Sequence, residues 1–141
     1  MTIHYTRSYL LDELAAVHDF YSDDIRMALF TDDVVMGPDT TAYSTTGETQ
    51  TGDGYTAGGQ ALTAVSSYPK LEDEGAAVRW QDVVWTFTAQ KTVKYALIYN
   101  ADKSNKSIMV VDMGDVTERQ GNFTFAFPLS SPPPIWLKGG R

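Results

Sequence analysis

The residues that could do chemistry in this 141-residue chain are few and scattered. Its two histidines are His4, near one end, and His18. A Ser–His–Asp arrangement needs a packed histidine oriented by a carboxylate, and neither position suggests one. Both read as surface or helix-face residues. Carboxylates pair at Asp23-Asp24, Asp32-Asp33 and Asp73-Glu74. Glycosidases hold two carboxyls on opposite sides of the scissile bond, about 5–10 Å apart. Sequence neighbours in polar stretches read instead as solvated turns. Asn100 to Asn105 places oxygen side chains at alternate positions, like the start of a calcium loop. However, Asn105 stands where the turn glycine belongs and Val111 where the closing glutamate belongs. A hairpin turn fits better. Gly52 to Gly59 is glycine-rich but lacks the lysine of a phosphate-binding loop and precedes an alternating segment. Its glycines are expected at turn or bulge positions with positive φ. No catalytic residue, cofactor or metal is expected.

Composition narrows the classes further. There is no cysteine, so disulfides, thiolate metal sites and cysteine nucleophiles are excluded. The formal charge of −7 disfavours nucleic acid and anionic membranes as partners. Met1 to Phe20 lacks the apolar centre of a signal peptide, and no run approaches a membrane span. A soluble protein without a cleaved leader is expected.

The elements that must position these residues are mostly strands. Leu10, Leu14 and Val17 recur at helical spacing, with Leu11 and Ala15 beside them and Asp12, Glu13 and Asp19 opposite. This predicts one helix over about 8–19, capped by Thr6 or Ser8. Strands are predicted at Ile25–Phe30, Gln60–Tyr68, Ala76–Trp80, Val83–Phe87, Thr92–Tyr99, Ser107–Met113, the alternating Phe123-Phe125-Phe127 run, and Ile135–Lys138. Both arms of the 92–113 hairpin are apolar on both faces, as central strands are. Leu29, Trp85, Leu97, Ile98, Val110, Phe123 and Phe125 are the expected core. Eight strands and one helix predict a single domain over 1–141, a mostly-β, two-layer antiparallel sandwich of jelly-roll type. The Thr/Gly-rich stretch 37–59 is expected to project as a mobile loop.

In order and spacing, the segments IRMALF, GETQTGDGYTAGGQAL, DVVWTFTAQKTVKYALIYN, SIMVVDMG, GNFTFAFP and PPIWL resemble a family of small virion-associated proteins of tailed bacteriophages. The resemblance covers about residues 8–138. The chain departs from it at Thr31-Asp32-Asp33, where members carry a Ser- or Thr-containing turn, and at the prolines before Ile135, where they tend to carry glycine. The resemblance implies a non-enzymatic β-sandwich built into a virion after synthesis in the host bacterial cytoplasm. The expected role is capsid decoration or cement, contacting the phage major capsid protein or other virion proteins, with self-association open. A neck, tail or fibre-attachment role stays open. The expected contacts are Tyr55 and the segment Ile135, Trp136 and Leu137, which could equally form a last strand of the domain. A different class, the carbohydrate-binding module, would require Trp80, Trp85 and the Phe123, Phe125 and Phe127 row to be exposed.

Overall fold

A computed structural model describes residues 1–127, 129 and 131–138. The fold is mostly β: two antiparallel sheets form a sandwich with one N-terminal helix. The larger sheet has five strands in the order β1-β7-β6-β2-β3: β1 (Thr2–Tyr5), β7 (Lys106–Phe125), β6 (Val83–Asn100), β2 (Ile25–Phe30) and β3 (Gln60–Ala61). The smaller has β4 (Lys70–Glu72), β5 (Gly75–Val78) and β8 (Ile135–Lys138), with β5 in the middle. The strands predicted at 83–87 and 92–99 are one continuous strand, and so are the one predicted at 107–113 and the Phe123-Phe125-Phe127 run, which leaves the ladder after Phe125. Asn100 and Lys106 close their hairpin, where Ser104 and Asn105 take positive φ.

This long hairpin serves two cores because its alternation is interrupted. Val83, Trp85 and Phe87 point inward and Val84, Thr86 and Thr88 outward. The ladder then slips between Phe87 and Lys91 and again between Val93 and Tyr95. The first shift is of two residues and leaves the inward parity of β6 unchanged, whereas the second is of three and reverses which face each side chain occupies. Val93 therefore shares a core with Ala96 and Ile98, while Tyr95, Leu97 and Tyr99 join Ala28, Phe30 and Val110 on the opposite face. A third slip, at Ile98/Tyr99, lets Ile108 and Met109 enter the same core. All seven expected core residues are buried.

Three expectations are corrected. The segment 37–59 does not project. Tyr43 stacks on Tyr99 with ring centroids 4.5 Å apart, and Thr49 and Tyr55 are buried. The cause lies in β2: the Leu29 N–H donates to the Tyr55 hydroxyl (2.9 Å), and the Thr49 N–H donates to the Leu29 carbonyl (2.9 Å). The segment thus satisfies strand groups that would otherwise be orphaned. Its glycines allow the approach. A Cβ on Gly59, at φ +71°, would lie 1.8 Å from the Met27 carbonyl oxygen, and one on Gly54, at φ +98°, 1.9 Å from that of Thr86.

The helix α1 is shorter than expected, Arg7–Leu14, and is capped by the Thr6 hydroxyl accepting from the Tyr9 N–H. It buries Tyr9 and Asp12, not Leu10 and Leu14. Thr6 is fixed to β7 through its N–H to the Ile108 carbonyl (3.1 Å), which sets where the helix starts. Tyr9 then meets an aromatic group made by Tyr5, His18 and Phe20. Finally, the expected strand 60–68 keeps only Gln60–Ala61 and an isolated bridge from Ala64 to Trp80, because Ser67 turns at φ +74°. β1 was not expected at all.

Candidate interaction surface

The apolar surface begins with the alternation of β1. Thr6 bonds to β7, so the backbone groups of Thr2 and His4 also face β7, in register with Asp112 and Val110. Those of Ile3 and Tyr5 face the open side. The side chains of Met1, Ile3 and Tyr5 all point to one face and line a groove of about 560 Å³. Met109, Val111, Phe125, Ala126 and Phe127 form its floor, and Ser131 to Pro134 its far wall. Among the described residues that line it, no side chain is charged.

The far wall is held at two points. Arg79, itself buried, donates to the Ser131 carbonyl (2.9 Å) while its other nitrogens clasp Glu72 (2.9 and 2.5 Å). Tyr68 also donates to Glu72, and these donors, Arg79 first, pull the Glu72 carboxyl down to about 2. At the other point the Tyr5 hydroxyl donates to the Pro134 carbonyl (2.5 Å). Burial raises the Tyr5 phenol, against the effect of the Trp136 backbone. Tyr5 and Pro134 thereby bridge β1 to the start of β8. Beyond them lies a smaller depression of about 250 Å³, with Phe20, Tyr21, Ile135 and Leu137 among its lining.

The expected contact residues divide. Tyr55 is 2 % exposed and belongs to the core, with its hydroxyl donated to Glu48 (2.7 Å). Ile135 is 3 % exposed and is also core, because it pairs with Val78 as the first residue of β8. Trp136 is half-buried, and Leu137 is 57 % exposed at the rim of the smaller depression. Met1, Ile3 and Tyr5 were missed, although their strict alternation with Thr2 and His4 was a readable strand signal.

The residues with chemical potential are also placed. The His18 side chain is fully buried, correcting its reading as a surface residue. Its Nδ1 accepts from Asn100 Nδ2 (3.0 Å), which puts the ring proton on Nε2, 3.5 Å from Asp12 Oδ2. Asn100 cannot turn over, because Nδ2 also donates to Asp23 (2.7 Å) and Oδ1 accepts from the Asp102 N–H (3.0 Å). Burial lowers the His18 pKa against the opposing pull of Asp12, Glu13 and Asp23. For Asp23, burial pushes upward, but bonds from Asn100, the Asp19 N–H and Lys103 outweigh it and hold the carboxyl low. The groups facing the imidazole nitrogens, Asn100 and Asp12, include no hydroxyl for the ring to activate. Trp80, Trp85, Phe123 and Phe125 are buried and Phe127 is half-buried against Trp80 and Phe125, so they form no exposed aromatic platform. Among the described residues, no cluster of three or more His, Asp or Glu could hold a metal, and no helix is long and apolar enough to cross a membrane.

The chain matches no protein-family model, no curated protein and no solved structure.

Proposed function

We propose that this protein is a structural component of a tailed-phage particle that binds the outside of the head as a decoration or cement protein and acts by contact, not catalysis. The observation that carries this reading is the apolar groove beneath β1, lined by no charged side chain among the described residues, on a chain whose net charge is −7. Apolar concavities of this kind receive apolar side chains of a protein partner. The acidic surface suits an outer position better than one beside packaged DNA. The resemblance of IRMALF, the Gly54–Gly59 stretch and the Trp85–Asn100 block to virion proteins supplies the setting. The major capsid protein is the proposed partner.

The test is to locate and count copies on particles. Tens to hundreds over the head support decoration, whereas a dozen or fewer on the portal or tail axis would move the protein to the neck or tail. Absence from particles would overturn the virion reading altogether. In a rebinding assay with stripped heads, Ala126→Glu places a charge on the groove floor and should abolish attachment while the circular dichroism spectrum stays unchanged. Undiminished attachment would remove the groove from the contact.

A further inference from the structure

We propose that two copies of this chain pair through the free edge of β1, so that two five-stranded sheets become one continuous sheet across a two-fold axis. The reasoning does not depend on the virion reading.

The backbone supplies the register. The Thr6 N–H bond to Ile108 fixes the ladder phase. Even-numbered residues of β1 bond to β7, and the N–H and C=O of Ile3 and Tyr5 point outward. An isologous antiparallel pair must place residue i opposite residue j and j opposite i. Centred on Ile3, the pairing sets Ile3 against Ile3 of the second copy and Met1 against its Tyr5. Every outward-pointing group then meets another. A centre one half-step away would set Ile3 against His4, opposing outward groups to groups already used in the β7 ladder, and would mix the two faces.

The side chains agree with the same register. Directly opposed residues in an antiparallel pair project to the same face. Met1, Ile3 and Tyr5 of both copies would therefore lie together, and the two grooves would merge into one apolar trough. Ile3 is 54 % exposed and Met1 77 % exposed, so both are available. Charge does not oppose the contact locally. β1 holds no Asp, Glu, Lys or Arg, and Asp112, its neighbour on β7, is paired with Lys94 at 3.1 Å. A bare edge is a template for strand addition, and β1 has none of the Asp, Glu, Lys, Arg, proline or bulge that usually blocks it. The chain's overall −7 repels a second copy only at long range, so added salt should strengthen pairing.

The experiment uses the full chain in analytical ultracentrifugation over a micromolar to millimolar range. The expected result is a concentration-dependent two-chain species that grows with salt. Ile3→Pro removes only an outward N–H and should leave a folded single-chain species, since proline is tolerated on an edge whose N–H faces solvent. Because the chain has no cysteine, Ile3→Cys reports the register directly. Opposed residues of a hydrogen-bonded pair sit about 5.5 Å apart at Cα, within disulfide range. In a glutathione redox buffer Ile3→Cys should become predominantly a covalent dimer, and Leu14→Cys, on the exposed helix face, should stay monomeric. A single-chain species at every concentration overturns the proposal, as does a dimer that survives Ile3→Pro. If Ile3→Pro fails to fold, the cysteine pair decides: crosslinking of Leu14→Cys equal to that of Ile3→Cys also overturns it.

Discussion

Tyr55→Phe deletes one oxygen and tests whether the 37–59 segment is part of the folded body. The hydroxyl accepts from the Leu29 N–H at 2.9 Å and donates to Glu48 Oε1 at 2.7 Å. Removing it strands a fully buried β2 donor, which costs about 1–3 kcal/mol. It also takes a charge-assisted bond from a carboxylate that still receives Tyr43 and the Gly58 N–H, both at 2.7 Å. With partial relaxation the two losses should total about 2–4 kcal/mol. Burial, opposed by the Leu29 backbone and reinforced by Glu48, pushes the Tyr55 phenol far above its ordinary range, so the group is neutral throughout any practical assay. The measurement is urea unfolding followed by tryptophan fluorescence. With a slope of about 2 kcal/mol/M, the midpoint should fall by about 1–2 M with the slope unchanged. A double-mutant cycle with Glu48→Gln should show coupling above about 0.5 kcal/mol. A Tyr55→Phe loss below about 0.5 kcal/mol would mean that the segment does not complete the β2 edge, and the account of its packing would fail.

Other outcomes follow from the same geometry. Phe125→Ala should cost about 3–5 kcal/mol, and a calorimetric loss below about 1 kcal/mol would contradict its place in the core. Leu14→Glu should change stability by less than about 0.5 kcal/mol because the side chain is 89 % exposed; a core-sized loss would restore the leucine face to the interior. His18 has a folded pKa below its unfolded value of about 6.5. Its contribution is therefore whole above pH 6.5 and is lost as pH falls through the folded value, since only the unfolded chain takes up the proton in that window. His18→Gln should flatten this part of the stability–pH profile in thermal melts, and an unaltered slope would refute the assignment.

The fold was legible where one period ran without interruption. Ile25–Phe30 and Ile135–Lys138 emerge with the boundaries expected, and the Phe123/Phe125 alternation correctly placed both rings in the core. It was illegible where a distant partner decided the outcome. The helix period over Leu10, Leu14 and Val17 is real, but the tie from Thr6 to Ile108 turns Tyr9 inward instead. Polar composition suggested a projecting loop because nothing local shows that Leu29 needs the Tyr55 hydroxyl. On the surface, Leu137 is exposed, and β1 could have been read from five alternating residues. The groove itself could not, because it forms only when Pro132–Pro134 come to lie beside β1.

The pairing of β1 with β7 also sets an order of events during synthesis. Thr2 to Tyr5 are made before their ladder partners, Asp112 back to Met109. At about 5–20 residues per second, roughly 5–20 s separate the two segments on a translating ribosome. Throughout that interval residues 2–5 lack the β7 partner of their ladder. A slower ribosome lengthens that exposure, so codon usage across residues 6–108 should influence how much of the protein reaches its native state.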